Sequence, residues 1–223
     1  MTPAAAKTLL PYGASTVLTG KFVSDPTPLD PTDGNMLPLT GQTVTIEQHV
    51  AGTIGYTDVA TTVTAADGAY SLSVKPAATT TYRAVWAGGT IATIVYPAAS
   101  ATTTVQVKPK ITLALTKYNS KSGKYFRYKL SLTVYAKGPL KPNHAKLGDG
   151  TTAGKVTVTA YRYKKPTRKW VKVKSALRSL TTTSAYKWSW RPRARGTYRL
   201  ATTFGGDVDH AAGASPFRYV KVY

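Results

Sequence analysis

The densest group of side chains suited to binding lies in the run from Tyr161 to Lys174, where cations alternate with aromatic residues. Cations beside aromatic rings suit stacking on sugars or bases and attraction to anionic groups. The run therefore predicts a basic hairpin that binds an anionic polymer: a wall polymer, an acidic polysaccharide or nucleic acid. The predicted binding residues are Arg162, Lys164, Lys165, Arg168, Lys169, Trp170, Lys172 and Lys174.

Charge is divided very unevenly along the chain. Residues 1–108 carry five Lys and Arg against six Asp and Glu, a net charge of −1, whereas the whole chain carries 30 against nine, or +21, which leaves +22 for residues 109–223. A concentration of one sign attracts polyanions. The alternative interpretation is a solvated surface on which lysines protect sheet edges from pairing.

Catalytic chemistry finds little support in the sequence. His49, His144 and His210 have no acid or nucleophile nearby in a recognisable motif, and no phosphate loop, His-Glu metal motif or nucleophile elbow is present. We expect a non-enzymatic protein without a cofactor. The chain has no cysteine, which excludes disulfides and thiolate metal sites.

Two acidic segments raise the possibility of a metal. The loop 25–35 holds three of the nine acids, and its oxygen ligands would suit calcium. It lacks the bidentate glutamate and spacing of a known calcium loop, so we interpret its Asp and Asn residues as turn caps. Asp207, Asp209 and His210 are likewise interpreted as a turn, and the sequence predicts no metal site.

An internal repeat defines the architecture. The segment from Ala69 to Arg83 matches the segment from Ala185 to Arg199 at an offset of 116 positions, including an Ala-Tyr pair and a Thr-Tyr-Arg triplet. This period is one domain length. Short alternating runs between Gly, Pro and Asp clusters indicate an all-β protein. We expect two sandwiches, 1–108 near-neutral and 109–223 strongly basic, joined by a short Pro-containing link.

The strand pattern assigns several side chains to faces. Val44 and Ile46 share one face of a strand, and Asp67-Gly68 predicts a hairpin turn before the strand that begins at Ala69. A strand is also predicted over 124–135. The repeat aligns Trp188 and Trp190 with apolar positions of the first copy, so both are expected in the core, as is Trp86; Trp170 is left open.

The repeated segments resemble bacterial immunoglobulin-like domains, which occur as tandem repeats in secreted and cell-surface proteins. The residues that carry the resemblance are Gly20, Gly41 to Ile46, Asp67 to Ser71, Thr81 to Arg83, Thr104 to Val107, Trp170, Gly196 to Arg199 and Phe204 to Asp207. The resemblance implies two immunoglobulin-like β-sandwiches. It also implies that Tyr82 and Tyr198, which open the penultimate strands, bond back to nearby backbone as corners.

Together these features predict an extracellular binding or spacer module, secreted or at the cell surface. The first residues lack the basic start and apolar stretch of a signal peptide, so an exported form would have lost its signal. No apolar run is long enough to span a bilayer, so membrane insertion is not expected. Two alternatives stay open: a subunit of an extracellular filament or surface layer that self-associates through edge strands, and an appendage of a secreted hydrolase.

Overall fold

Every regular element of the described chain is a β-strand. The computed structural model describes residues 2–24, 37–91, 94–143 and 154–223. This part of the chain divides into two compact units, Met1–Val107 and Lys108–Tyr223. The division lies one residue before the boundary expected from the sequence. Independent folding of the two units stays a prediction.

The first unit, as described, contains two main sheets. Its strands are β1 (Thr2–Ala5), β2 (Leu9–Pro11), β3 (Thr16–Lys21), β4 (Val23–Ser24), β5 (Leu37–Pro38), β6 (Thr43–Val50), β7 (Thr57–Val63), β8 (Ala69–Val74), β9 (Thr80–Trp86), β10 (Gly89–Ile91), β11 (Ile94–Tyr96) and β12 (Ala99–Lys108). One sheet has the order β1-β3-β8 and the other β2-β12-β9-β6-β7. The pairs β4-β5 and β10-β11 form short separate ladders.

The second unit also has two main sheets. Its strands are β13 (Lys110–Ile111), β14 (Ala114–Thr116), β15 (Ser120–Ser122), β16 (Tyr125–Tyr128), β17 (Val134–Lys141), β18 (Lys155–Lys164), β19 (Lys169–Ser179), β20 (Ala185–Trp190), β21 (Gly196–Phe204), β22 (Gly213–Ala214) and β23 (Arg218–Val222). In one sheet β17 pairs with β13, β14 and β20. The other has the order β15-β16-β23-β21-β18-β19, with β22 on β21.

The two units share a strand order. The sheet β1-β3-β8 of the first unit corresponds in chain order to β14-β17-β20 of the second. The sheet β2-β12-β9-β6-β7 corresponds in the same way to β16-β23-β21-β18-β19. The repeated sequence segment thus lies on equivalent strands of the two units.

Each unit encloses an apolar core between its two sheets. Alternation along the strands turns one face inward: Val44 and Ile46 of β6 are buried as predicted, and so are Trp86 and Trp188. The core of the second unit joins residues of both sheets, among them Ala136 of β17 and Leu200 of β21. Both units are therefore β-sandwiches.

Two predicted elements differ in the structure. The strand expected over 124–135 is two strands, because the chain changes sheets there: β16 pairs with β23 in parallel, and β17 pairs with β20 in the other sheet. The Asp67-Gly68 turn forms, with φ of 74° at Gly68 and the Asp67 carboxylate accepting a hydrogen bond from the Ala69 amide at 3.0 Å. However, β7 and β8 lie in different sheets, so the turn does not close a hairpin.

A glycine opposite a buried tyrosine recurs in both units. Gly20 faces Tyr70 across β3 and β8, and Gly138 faces Tyr186 across β17 and β20. A Cβ atom on Gly20 would overlap the Tyr70 ring, and one on Gly138 would overlap the carbonyl oxygen of Thr112. Glycine at these positions lets the buried tyrosine pack without displacing its neighbours.

The two tyrosines differ in their hydrogen bonds. The Tyr186 hydroxyl donates to the carbonyl of Thr112 at 2.7 Å and bonds the Thr202 hydroxyl at 2.8 Å. The Tyr70 hydroxyl is buried without a hydrogen-bond partner among the described residues. Burial raises the pKa of each tyrosine to about 12, and the bond to Thr202 partly opposes that effect for Tyr186.

This difference predicts unequal effects of removing the hydroxyl groups. At neutral pH, Tyr186→Phe should destabilise the second unit by about 1–3 kcal/mol because buried partners lose their hydrogen bonds, whereas Tyr70→Phe should cost little. A raised tyrosine pKa gives stability that is present below the unfolded pKa of about 10 and lost as pH rises towards the folded value. Each substitution should therefore also reduce the loss of stability over that alkaline window. Urea unfolding at neutral and alkaline pH measures both effects, and an equal neutral-pH cost for the two variants would contradict the assignment.

Candidate anion-binding surface

The predicted basic hairpin is formed by β18 and β19. Lys164 and Lys169 lie opposite each other, and the turn between them brings Lys165 and Arg168 to its tip. Arg168 has a positive φ of 51°. All four side chains are exposed. Like charges directly opposite each other destabilise a sheet, so this arrangement brings no gain to the fold.

A bulge divides the predicted binding residues between two sides of the hairpin. The register of β18 and β19 shifts between Ala160 and Tyr161. Beyond the shift, Tyr161 lies opposite Lys172, and Tyr163 lies opposite Trp170. Trp170 and Lys172 therefore share the outer face of the sheet with the two tyrosines. Arg162 and Lys174 instead line a cleft on the other side, together with Trp190.

A row of aromatic rings crosses this outer face. Tyr163 and Trp170 have ring centroids 5.2 Å apart, Trp170 and Tyr219 are 6.1 Å apart, and Tyr219 and Tyr125 are 5.9 Å apart. The four rings belong to β18, β19, β23 and β16, and each is half-buried. Lys124 places its ammonium group 4.7 Å from the Tyr219 centroid. Half-exposed rings with cations above them are suited to stacking and to anion contact.

Arg199 is the central cation of this face. Its guanidinium carbon lies 4.0 Å from the ring centroid of Phe217, 4.7 Å from that of Trp170 and 5.4 Å from that of Tyr161. Its Nε atom is buried without a hydrogen-bond partner among the described residues. Aromatic faces attract the guanidinium charge without neutralising it, so this charge can still attract an anion.

The first unit carries the same arginine in a different setting. Arg83 stands 116 positions before Arg199 and lies opposite Glu47, as Arg199 lies opposite Tyr161. The Nε atom of Arg83 donates to the Glu47 carboxylate at 2.6 Å, and the guanidinium also stacks on Tyr56. The bulge recurs as well, between Ile46 and Glu47. An arginine that is neutralised in one unit thus lies among aromatic rings in the other, with no ion pair to a described residue.

Sequence reasoning missed most of this face. Arg199, Phe217, Tyr219, Tyr125 and Lys124 are distant in sequence from the hairpin and meet it only through strand order. One signal was available: the Thr-Tyr-Arg triplet repeats, while Glu47 has no acidic counterpart in the second copy.

The cleft beside Arg162 is built around the predicted tyrosine corner. The Tyr198 hydroxyl donates to the carbonyl of Ala194 at 2.6 Å, which confirms the corner in this unit. Burial raises the pKa of Tyr198, and the nearby Arg162 charge partly opposes this. Arg162 donates to the carbonyl of Arg195 at 2.7 Å. Burial raises the pKa of Tyr82, and a hydrogen bond with the Thr80 side chain partly opposes this; its backbone corner stays a prediction.

The tryptophans divide into core and surface groups. Trp86 and Trp188 are buried, as predicted. Trp190 is only half-buried: it stacks on Trp188 with centroids 6.1 Å apart, packs edge-on against Tyr198 and lines the cleft. Its assignment to the core was therefore wrong in part, because β20 ends there and leaves one side of the ring open. Trp170 belongs to the outer face.

Charge is also separated along the second unit. β18 and β21 are antiparallel, so the hairpin tip lies at the same end as the β20–β21 loop, which holds Arg191, Arg193 and Arg195. The described acids of this unit, Asp207 and Asp209, follow β21 at the opposite end. One end is therefore strongly cationic, and such a field attracts polyanions.

The candidate metal and catalytic residues have structural roles where they are described. The Asp207 carboxylate accepts hydrogen bonds from the amides of Asp209 at 3.0 Å and His210 at 2.8 Å, which confirms the predicted turn. His49 bonds the carbonyl of Thr53. Within the described ranges, no group of three His, Cys, Asp or Glu residues is placed to hold a metal. The loop 25–35, His144 and Asp149 lie outside the described residues.

The described chain contains no helix long and apolar enough to cross a membrane.

No family model matches the chain, and no curated protein sequence matches it significantly. Among solved structures, the ligand-binding domain of human OSCAR is similar over 96% of this chain and 95% of its own, at 10% identity and a TM-score of 0.29. Salmonella α2-macroglobulin reacted with methylamine is similar over 99% of this chain and 14% of its own, at 12% identity and a TM-score of 0.34. Red sea bream transglutaminase is similar over 99% of this chain and 31% of its own, at 10% identity and a TM-score of 0.35.

Proposed function

We propose that this chain is a non-enzymatic extracellular module of two tandem immunoglobulin-like sandwiches, secreted or held at the cell surface. The second sandwich binds anionic polymers, and the first acts as a near-neutral spacer. Candidate ligands are a wall polymer, an acidic polysaccharide and nucleic acid. Affinity is mainly electrostatic, so it is steeply salt-dependent and weakly selective for sequence.

The contrast between Arg83 and Arg199 carries the proposal. Corresponding strands place the two arginines equivalently, yet Glu47 neutralises only the first. The outer face of the second unit surrounds Arg199 with rings instead. The fold does not require this change, because the first unit is built without it. An anionic group on the ligand would supply the charge that Glu47 supplies to Arg83.

The hairpin extends this surface with exposed cations. Lys164, Lys165, Arg168 and Lys169 are exposed at its tip, and Lys172 lies beside the aromatic row. Long cationic side chains at a hairpin tip can contact the backbone of a flexible polymer while aromatic rings stack on its sugars or bases. The combination supports a polymer rather than a compact ligand.

Restoring the acid tests this directly. Tyr161→Glu places a carboxylate opposite Arg199, as Glu47 stands opposite Arg83, and should lower polymer affinity by about tenfold or more, since an ion pair now competes with the ligand. Leu177→Glu is the matched control, because it adds the same charge at an exposed position of β19 remote from Arg199. Anisotropy titration with a labelled single-stranded oligonucleotide and an acidic oligosaccharide measures the effect. Equal losses in the two variants would remove Arg199 from the site.

A filament or surface-layer subunit is the second candidate, favoured by the edge strand β7. This strand runs from Thr57 to Val63 without Lys, Arg or Pro, and Val63 is exposed. Open edges that lack the Lys and Pro residues that block pairing invite strand addition, and Asp58 is the only charged residue of β7. The other unit's edge strand β19 carries several cations instead. Self-assembly of the chain that is lost in Val59→Lys, measured by size-exclusion chromatography, would favour the filament function.

A further inference from the structure

The β20–β21 loop of the second unit forms a second basic feature, separate from the aromatic face. Its sequence alternates Arg191, Pro192, Arg193, Ala194 and Arg195. Pro192 is buried, while the three arginines are exposed. These arginines and Lys129 line a cavity of about 1010 Å³.

A second cleft adjoins this cavity. Arg191 and Arg193 also line the cleft of about 450 Å³ that contains Arg162, Lys174 and Trp190. Among the described residues, six cations therefore line two neighbouring concave regions, and no acid lines either of them. Such a concave array concentrates positive potential where a compact anion can enter.

The loop is held in place before any ligand arrives. Tyr198 bonds the carbonyl of Ala194, and Arg162 bonds the carbonyl of Arg195. Gly196 has a φ of 148°, and a Cβ atom there would lie 3.2 Å from Nε of Arg162. Glycine thus leaves room for Arg162 to reach the loop. A loop fixed in this way loses less entropy on binding.

The first unit again serves as an internal comparison. At the offset of 116, Lys75 and Pro76 correspond to Arg191 and Pro192, but Ala77 and Thr79 stand where the second copy has Arg193 and Arg195. The loop therefore forms without these two arginines. Because the repulsion between these two arginines does not stabilise the fold, their presence points to a role in binding.

We propose that the arginine loop is a binding site for tetrahedral oxyanion groups, phosphate or sulfate esters, which are recognised independently of the aromatic face. A carboxylate offers two oxygens and satisfies one guanidinium fork, whereas a terminal phosphate ester offers three acceptor oxygens. Several arginines around one cavity therefore fit a tetrahedral group better. The site would bind the phosphate or sulfate ester group itself, whichever polymer carries that group.

The test uses the full chain and small probes that are too short to span the hairpin. Fructose 1,6-bisphosphate and a trisulfated disaccharide without a carboxylate are titrated while the backbone amide signals of residues 191–196 are followed by NMR; tricarballylate, of similar charge, is the carboxylate comparison. At least one ester probe should bind at those amides about tenfold or more tightly than tricarballylate, since additional charge-assisted hydrogen bonds are formed. The tighter ester identifies the source chemistry.

Arg193→Gln with Arg195→Gln should weaken ester binding about tenfold or more, because these are the two cations that the first unit lacks. The control, Lys110→Gln with Lys155→Gln, removes the same charge at exposed positions towards the opposite end of the unit and should leave binding nearly unchanged. Equal weakening in both double variants, absence of ester binding at residues 191–196, or equally tight binding of tricarballylate would overturn the proposal. The Tyr161→Glu variant should bind fructose 1,6-bisphosphate normally, so failure of this site is distinguishable from failure of polymer binding at Arg199.

Discussion

Replacing Lys164, Lys165, Arg168 and Lys169 together by glutamine is expected to lower polymer affinity by about 10²–10³-fold near 0.1 M salt, because four exposed cations no longer displace condensed counterions. The plot of log affinity against log salt should also become less steep by about three. The fold should be retained, since all four side chains lie at the exposed tip of the β18–β19 hairpin. Anisotropy titrations at several salt concentrations measure both quantities.

A matched variant separates a local site from net charge alone. Lys110, Lys137, Lys155 and Lys187 are exposed cations of the same unit that lie away from the hairpin tip. Changing all four to glutamine removes the same charge but should have a much smaller effect. If the two quadruple variants weaken binding equally, affinity depends on total charge and the hairpin is not a distinct site.

The second large effect is expected from Trp188→Ala, which should destabilise the second unit by about 3–5 kcal/mol. Trp188 is 4% exposed and packs in the core between the two sheets, so its removal leaves a cavity. Trp190→Ala should cost clearly less, because this ring is half-buried and one side faces the cleft. Urea unfolding of both variants makes the comparison. An equal or larger loss of stability in Trp190→Ala would show that Trp190 contributes to the core as fully as Trp188, which is what the repeat alone had predicted.

The internal repeat made much of the fold predictable. Alternation identified Val44 and Ile46 as inward-facing, and the alignment of the two copies placed Trp188 in the core. These features depend on local pattern and on strand order, both of which a repeated sequence displays twice. The resemblance to immunoglobulin-like domains, rather than the repeat, implied the Tyr198 corner.

The arrangement of the candidate surface was not predictable in the same way. Simple alternation would place Lys172 and Lys174 on one face, but the bulge at Ala160 and Tyr161 moves them to different sides. A bulge re-aims side chains without a reliable sequence signal. The row from Trp170 to Tyr125 also depends on parallel pairing between β16 and β23, which joins segments far apart in the chain.

The difference between the two arginines was visible only once strands were paired. The sequence aligns Arg83 with Arg199, yet their partners Glu47 and Tyr161 become comparable only through the register with β9 and β21. A duplicated fold thus supplies an internal comparison: Arg83 forms an ion pair with Glu47, whereas Arg199 lies among aromatic rings of the described chain.

The central claim is that anionic polymers bind residues 109–223 through charge. The most direct measurement is an amide-shift map of the full chain titrated with a single-stranded oligonucleotide and with an acidic oligosaccharide, at low and high salt. We expect shifts confined to the second unit, strongest around 161–174 and 196–200, and lost at high salt as counterion release becomes unfavourable. Equal shifts in the two units, or shifts that persist unchanged at high salt, would contradict the claim.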